Sequence, residues 1–394
     1  MTTPVATTQG WRRGKLKSLP VVFIDGDRSA RYPKRHELQD EGVLFLNTKN
    51  VVENHLDLNE ADYVSQEKFA GIQKGRLKRF DIVMTTRGTV GKVALFNHPK
   101  HSTSLINAQM LILRAHPEHI DPQFLFYALC SDTFQGAVRN YASGSAQPQI
   151  PIRDLQEIEI RYPPLPTQRR IASILSAYDD LIENNRRRIA ILEEMAQRLY
   201  REWFVDFRFP GHEGVRMVAS ELGAIPEGWE VKRLGDLAHE HRRGVSPGSI
   251  SPDTPYVGLE HIPRRSIALS DWGKASEVQS GKLAFKEGEI LFGKIRPYFH
   301  KVAVAPIDGV CSTDALVISG KSEEFFPLVL CCVSSADFVN HATQTSQGTK
   351  MPRANWNVLV EYPIALPPPE LLSCFNELLV DILDHIQNLV SCDG

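Results

Sequence analysis

Residues Arg169 to Phe204 read RRIASILSAYDDLIENNRRRIAILEEMAQRLYREWF, without a glycine or a proline. The apolar positions follow one another in steps that alternate between four and three, which is the heptad period of a coiled-coil seam. The seam consists of Ile171, Leu175, Tyr178, Ile182, Asn185, Ile189, Leu192, Ala196, Leu199 and Trp203. Asn185 is its polar member, and this residue either fixes the helix register or occupies a poorly packed position.

Both ends of this helix are marked by proline. The preceding YPPLPTQ suits a first helical turn at Pro166 and Thr167, and RFPGHEG ends the helix at Pro210 and Gly211. A helix of about 38 residues is about 57 Å long. Its exposed seam requires a partner helix or a separate globular core to pack against.

The C-terminal stretch PPPELLSCFNELLVDILDHIQNLV provides such a partner. It also follows a proline cluster, and its apolar positions step by three and four: Leu372, Phe375, Leu379, Ile382, Ile386 and Leu389. We expect the two helices to pack as an antiparallel coiled coil within one chain. The alternative is that each helix packs against its own globular core.

The chain also repeats itself upstream of each helix. GSAQPQIPIRDLQEIEIRYPPLP at 144–166 aligns with GTKMPRANWNVLVEYPIALPPPE at 348–370, at a constant offset of 204 residues. Further upstream, RFDIVMTTRGTVGKVALF at 79–96 parallels EGEILFGKIRPYFHKVAVA at 287–305. In both copies an apolar strand, a short basic loop and a second apolar strand follow one another.

The predicted fold class is therefore α+β, with two duplicated mixed α/β domains separated by long helices that pair as an antiparallel coiled coil. The domains span 1–165 and 207–366, the central helix 166–206 and the C-terminal helix 367–394. Two similar globular units at a fixed separation suit a ligand that has two sites.

Composition and motifs exclude several classes of protein. The net charge of −2 gives no overall basic field, and no apolar run reaches the length of a membrane span, so we expect a cytoplasmic protein. The sequence lacks GxGxxG, GxxxxGK[ST] and HExxH motifs, and its six cysteines form no zinc-binding spacing. GVSPG at 244–248 has the spacing of GxSxG, but it follows the polar HEHRR and not an apolar strand, so it is no nucleophile elbow. We predict no catalytic residue and no metal ligand, hence a binding protein.

Basic loops at matched places in the two copies are the candidate DNA contacts. Arginine can bridge the guanine edge, lysine and threonine can hold phosphates, and glutamine suits the adenine edge. The candidates are Thr86, Arg87, Lys92, Gln147 and Gln149 in the first copy, and Lys294, Arg296, Tyr298, His300, Lys301, Gln347, Lys350 and Arg353 in the second. The alternative for each residue is a solvated loop charge.

The whole chain resembles the specificity subunit of type I restriction-modification systems. The resemblance rests on the central block from IPIRDLQEIEIRYPPLP to REWFVDF, on GWEVKRLGDL at 228–237 and on GTKMPRANW followed by YPIALPPPE. It implies two target recognition domains that each read one half of a bipartite sequence in double-stranded DNA. It also implies helices that set the gap between the half-sites.

The resemblance further implies partners that carry the chemistry. Two methyltransferase subunits dock on the helices, bind S-adenosylmethionine and methylate adenine, and a restriction and translocation subunit that uses ATP and Mg can join them. This chain itself would hold no cofactor. We place the partner-binding patch at Arg198, Arg201, Trp203 and Phe204, with ordinary core packing at the helix end as the alternative.

One departure from the family pattern is the C-terminal helix, which has about 24 residues and lacks the basic NNRRR of the central helix. Its contacts to a methyltransferase can therefore differ. Two other classes of function compete with the DNA-specificity hypothesis. A protein-binding scaffold would not need the basic loops, and an autonomous enzyme would need the motifs that the sequence lacks.

Overall fold

The structure of the chain is a computed structural model that describes residues 10–52, 54–58, 61–142, 148–277, 280–348 and 350–393. The chain divides into two compact units, Met1–Asp180 and Leu181–Gly394, with the boundary inside the long central helix. Both units combine helices with mainly antiparallel sheets, so the predicted α+β class is confirmed.

The first unit contains short strands that alternate with turns. They are β1 (Arg12–Lys15), β2 (Val21–Asp25), β3 (Val43–Leu46), β4 (Val51–Val52), β5 (His55–Leu56), β6 (Asp62–Val64), β7 (Arg76–Lys78), β8 (Asp81–Thr85), β9 (Val93–Phe96), β10 (Thr103–Ile106), β11 (Met110–Ala115) and β12 (Glu159–Tyr162). Its helices are α1 (Gln66–Gly71), α2 (Pro122–Cys130), α3 (Asp132–Tyr141), α4 (Ile152–Leu155) and the first part of α5 (Leu165–Tyr200).

Three layers build the first unit. One sheet has the strand order β2-β11-β8-β9, and a second has the order β6-β3-β10-β7. Side chains alternate across the first sheet, so Ile82 and Met84 of β8 pack towards α2 and α3, whereas Val83 packs against the second sheet. This double burial explains why the DIVMT strand is apolar on both faces.

The second unit repeats this plan with its own strands and helices. Its strands are β13 (Met217–Ser220), β14 (Gly223–Pro226), β15 (Glu230–Arg233), β16 (Ala238–His241), β17 (Gly244–Val245), β18 (Pro255–Val257), β19 (Gly273–Lys274), β20 (Lys282–Phe285), β21 (Ile290–Gly293), β22 (Val302–Val304), β23 (Gly309–Cys311), β24 (Ala315–Gly320) and β25 (Pro363–Leu366). Its helices are α6 (Leu234–Leu237), α7 (Phe326–Val333), α8 (Ala336–Gln344), α9 (Trp356–Leu359) and α10 (Pro369–Asp393).

The strand orders of the two units correspond. The sheet β16-β24-β21-β22 has the same arrangement as β2-β11-β8-β9, and the pair β15-β25 corresponds to β1-β12. In the other sheet of each unit one pair of strands is parallel, β3 with β10 and β18 with β23. The repeat seen in the sequence is therefore a repeat of the fold.

The two long helices pack antiparallel inside the second unit. Ile189 of α5 lies in one buried cluster with Ile386 and Leu389 of α10. At the other end, the Phe375 ring lies 5.8 Å from the Trp203 ring and 4.6 Å from the Phe204 ring, measured between ring centroids. Increasing residue numbers on α5 thus meet decreasing numbers on α10, as the matching seams predicted.

The seam is not buried along its whole length. From Asn185 onwards its members are buried or half-buried, but Leu175 and Tyr178 are exposed. The shorter α10 contributes buried seam contacts only to the later part of α5 in the described structure. After Tyr200 the helix continues as one π-helical turn, Arg201–Val205, which closes with a 2.8 Å bond from the Asp206 N–H to the Arg201 carbonyl.

The aromatic contact at the end of the seam provides a stability test. Phe375 is fully buried, so Phe375→Ala leaves a cavity, and we expect it to lower the free energy of unfolding of the second unit by about 3–5 kcal/mol. Leu378→Ala on the same helix is the matched control, because Leu378 is 46% exposed and its loss costs less than about 0.5 kcal/mol. Urea unfolding followed by tryptophan fluorescence measures both, and equal losses would contradict the packing described here.

Candidate nucleic-acid interface

The basic loop of the first unit joins β8 to β9 and is bridged to a distant segment. The Gly88 N–H donates to the Pro148 carbonyl over 2.9 Å, and the Ile150 N–H donates to the Thr86 carbonyl over 3.0 Å. The loop and the segment before α4 therefore form one short two-stranded bridge. The bridge is made by main-chain atoms, so it does not require the Arg87 side chain.

The basic loop of the second unit joins β21 to β22 and has the same bridge. The Arg296 N–H donates to the Pro352 carbonyl over 2.8 Å, and the Ala354 N–H donates to the Lys294 carbonyl over 2.9 Å. Pro352 and Ala354 lie 204 residues after Pro148 and Ile150, at the offset of the sequence repeat. The structure thus brings each basic loop next to the segment about 60 residues further along the chain, at matching positions of the two copies.

This correspondence aligns the two loops residue by residue. Lys294 occupies the place of Thr86, and Arg296 occupies the place of Gly88, so Arg87 corresponds to Ile295 and not to Arg296. Gly88 has a φ of +79° and Arg296 a φ of +49°. An arginine in the left-handed region is strained relative to glycine, and strain of this kind concentrates at functional sites.

In the first unit the side chains of Arg87 and Gln149 reach each other. An Arg87 Nη2 group donates to Gln149 Oε1 over 3.0 Å, and both residues are exposed. Lys92 is also exposed, whereas Thr86 is buried and its hydroxyl donates to the Gln109 carbonyl over 3.0 Å. Gln147 lies outside the described residues.

In the second unit Arg296 and Tyr298 lie near the tip of the loop. Tyr298 is exposed. The Arg296 Nε atom is buried and has no hydrogen-bond partner in the part of the chain that the structure describes. A buried donor without an acceptor is costly, which favours an acceptor supplied from outside the chain.

His300 and Lys301 have internal partners instead. The His300 Nε2 atom lies 2.8 Å from the Ser334 carbonyl, and the Lys301 ammonium donates to the Leu259 carbonyl. Burial lowers the pKa of both side chains. Both residues are half-buried and their polar atoms bond within the protein, so the structure does not support their predicted contacts with DNA, which stay a prediction.

A cleft of about 520 Å³ collects several of the other predicted residues. Lys294, Gln347 and Arg353 line it, and an Arg353 Nη2 group lies 3.6 Å from an Asp314 carboxylate oxygen. Gln347, Lys350 and Arg353 are all exposed.

The same cleft contains residues that the sequence analysis missed. Arg242 and Asn355 also line it. Arg242 directly follows β16 and belongs to the HEHRRG stretch at 239–244, whose two adjacent arginines are a signal in the sequence. Asn355 also acts as the N-cap of α9. Neither residue lies in the basic loop or in the Gln347–Arg353 segment. The sequence pattern therefore gave no reason to group these two residues with the loop.

The predicted partner-binding patch consists of two exposed arginines and two buried aromatic residues. Arg198 and Arg201 are exposed. The Arg198 Nε atom lies 3.4 Å from a Glu194 carboxylate oxygen, and the Arg201 Nε atom lies 3.7 Å from an Asp206 carboxylate oxygen. Trp203 and Phe204 are only 4% and 5% exposed. The prediction that these aromatic residues contact a partner is corrected, because their rings pack against α10 in the core of the second unit.

Glu193 connects the central helix to the second domain. Its Oε1 atom accepts hydrogen bonds from the Ser266 hydroxyl over 2.6 Å and from the Ile267 N–H over 2.7 Å. Burial raises the pKa of this carboxyl, while these hydrogen bonds act in the opposite direction. Both groups belong to the second unit, so this contact fixes the helix against its own domain.

Comparison with known proteins identifies the class of this fold. The model of the type I restriction modification DNA specificity domain matches residues 10–194 and again residues 226–391. The chain therefore belongs to this family and carries two copies of its domain. Specificity subunits are the non-catalytic DNA-recognition subunits of type I systems, and the resemblance drawn from the central block is confirmed.

Individual relatives agree with this assignment. The chain is 28% identical over 323 residues to the type I restriction enzyme MjaIX specificity subunit of Methanocaldococcus jannaschii. This alignment covers 78% of this chain and 72% of that protein. It is 26% identical over 290 residues to the EcoDI specificity subunit of Escherichia coli, covering 68% and 64%. The crystal structure of the S subunit from M. genitalium superposes with a TM-score of 0.56 at 14% identity, covering 99% and 96%, and shows a shared fold.

Membrane-spanning potential is limited to one bent pair of helical segments in the described part of the chain. No single helix there is long and apolar enough to cross a bilayer, and Glu323–Val333 with Ala336–Gln344 meets the criteria only as a pair bent by 68°.

The Glu193 contact predicts a pH dependence. The folded chain holds the Glu193 proton more tightly than the unfolded chain, whose glutamate pKa is the usual 4.5. The stability contribution of this residue is therefore complete below that value and is lost as pH rises through the raised folded pKa. Glu193→Gln has no proton to lose, so its stability relative to wild type should increase with pH and then level off.

Urea unfolding of the second unit, repeated between about pH 4 and about pH 8, measures this difference. Glu194→Gln is the matched control, because the neighbouring Glu194 carboxylate is exposed. The interpretation is refuted if both variants show the same pH profile.

Proposed function

We propose that each of the two domains reads one half of a bipartite target in double-stranded DNA through its bridged basic loop. The observation that carries the proposal is the bridge itself. The same pair of main-chain bonds presents Arg87 and Gln149 in the first unit and Lys294, Arg296 and Arg353 in the second. Arginine, lysine and glutamine are the residues that read base edges and hold phosphates.

The orphaned donor of Arg296 supports direct contact with a ligand. Its Nε atom is buried and has no acceptor among the residues that the structure describes, and its backbone adopts a conformation that glycine would adopt more easily. A guanine edge or a phosphate oxygen would satisfy that donor. A loop selected only for stability would carry glycine there, as the first unit does at Gly88.

The remaining roles are proposed from the same family membership. Helices α5 and α10 set the gap between the half-sites and dock two methyltransferase subunits, which supply S-adenosylmethionine and methylate adenine. A restriction and translocation subunit that uses ATP and Mg can join this complex. Exposed Arg198 and Arg201 remain the proposed partner contacts on α5 and its π-helical turn. The complex would act in the cytoplasm, where it meets chromosomal DNA.

Co-expression with the native methyltransferase subunit tests this function. We expect N6-methyladenine, mapped across a plasmid, to fall on a split motif of two specific blocks and a fixed unspecified gap. A stable complex without methylation would contradict DNA specification by this chain. Failure to form any complex would favour a protein-binding scaffold.

Two loop variants sharpen this experiment. Arg296→Gly keeps the left-handed backbone that Gly88 already tolerates, so the melting temperature should not fall, while the loss of a base contact costs about 1–3 kcal/mol of discrimination. Arg87→Ala should act in the same way on the other block. Methylation at the split motif, measured at limiting enzyme, should fall in both variants.

The controls are Arg79→Ala and Lys286→Ala. These basic residues precede β8 and β21, at the strand ends opposite the two loops. Undiminished methylation in both loop variants would refute the proposed site.

The helix also makes a prediction about spacing. Four residues inserted before Asn185 extend α5 by about 6 Å, which is close to the rise of about two base pairs. The unspecified gap of the methylated motif should therefore lengthen by one or two base pairs. Retained methylation with an unaltered gap would rule out a spacing role for α5.

A further inference from the structure

Each basic loop is anchored a second time, at the junction between two consecutive helices. In the first unit Gln135 of α3 donates from Nε2 to the Gly91 carbonyl over 2.9 Å and to the Leu129 carbonyl over 2.7 Å. In the second unit His300 of the loop reaches the Ser334 carbonyl, at the end of α7, over 2.8 Å. In both units one side chain closes the space between the loop and the helix pair.

The two anchors act at equivalent positions of the loops. Gly91 and His300 both have a left-handed backbone, with φ values of +94° and +53°. In each loop the carbonyl of the next residue accepts a main-chain hydrogen bond, and the strand pairing of the sheet resumes there. The Thr85 N–H donates to the Lys92 carbonyl over 2.9 Å, and the Gly293 N–H donates to the Lys301 carbonyl over 2.8 Å. Gly91 and His300 are therefore counterparts, although one has no side chain and the other uses its side chain as the anchor.

A side chain at position 91 and the Gln135 anchor cannot occupy the same space. A Cβ atom added to Gly91 would lie 3.0 Å from Gln135 Oε1 and 3.0 Å from a Val138 methyl carbon. Because the Gln135 amide fills this space, the first loop requires glycine at this position. The second unit places a valine, Val339, at the position 204 residues after Gln135, and the bond to the helix junction comes from His300 instead.

In the second unit the same junction is bonded to the central helix. Gln197 of α5 donates from Nε2 to Ser334 Oγ over 2.9 Å, and Ser334 is buried. Ser334 thus accepts from α5 at its hydroxyl and contacts the loop at its carbonyl. Any shift of the α7 end would move the loop relative to α5.

We propose that Gln135 and His300 are positioning residues that fix the basic loops against the helix pairs, so that the loop side chains reach base edges in register. This proposal rests on the proposed DNA-reading function of the loops. In this role each residue acts through the loop that it holds and not through a contact of its own with DNA. Loss of the anchor leaves the main-chain bridge to Pro148 or Pro352 intact, so the loop stays folded but moves more freely.

A freer loop affects base discrimination more than overall affinity. Base-edge contacts require correct distance and angle, whereas phosphate contacts tolerate displacement and supply most of the non-specific affinity. One neutral hydrogen bond contributes about two- to tenfold in an equilibrium constant. We therefore expect a two- to tenfold loss of preference in one block of the target only.

The experiment is selection from a randomised DNA duplex pool by the full chain in complex with its methyltransferase subunit. His300→Gly removes the anchor and suits the left-handed backbone, as Gly91 does, so the fold is retained. Gln135→Met removes the other anchor at similar volume. We expect His300→Gly to blur one block of the selected motif and Gln135→Met to blur the other, each leaving its companion block sharp.

His300→Gln keeps an N–H donor of comparable reach and should restore most of the lost preference. Equal sharpness in wild type and both variants would overturn the positioning role, as would equal blurring of both blocks, which indicates general destabilisation. If wild type itself selects no split motif, the proposed function fails, and this outcome is distinct from failure of the anchors.

Discussion

The structure depends on the exchange of main-chain hydrogen bonds between each basic loop and the segment that precedes α4 or α9. These bonds join residues about 60 positions apart, and they recur at the same places in both units. They bring a loop between two buried strands next to a polar segment that follows a helix. Without them the residues that we assign to DNA recognition would belong to separate surfaces.

A loop that is held by its main chain can change its side chains. Thr86, Arg87 and Gly88 of the first unit correspond to Lys294, Ile295 and Arg296 of the second, with no change in the bridge. The sheets beneath are buried on both faces and keep their apolar residues, because each face packs against another layer. This division suits two duplicated domains that read different sequences.

In the helix packing, too, the residues that hold the fold together differ from the residues that remain exposed. The rings of Trp203, Phe204 and Phe375 and the seam around Ile189 hold α5 to α10, and Glu193 holds α5 to the second domain. The arginines next to these aromatic residues remain exposed. A segment that reads as one basic and aromatic patch in the sequence therefore has two roles in the fold.

The sequence by itself determined the duplication, the α+β class, the two long helices and the family, because a heptad period and a constant offset are visible along the chain. Only the tertiary structure decided which residues of each segment face solvent. His300 and Lys301 point inward, Trp203 and Phe204 are buried, and Arg87 aligns with Ile295, since the second loop is one residue longer before its restart at Lys301. The physical reason is that burial and hydrogen-bond partnership come from residues far apart in the chain, whose approach no local pattern records.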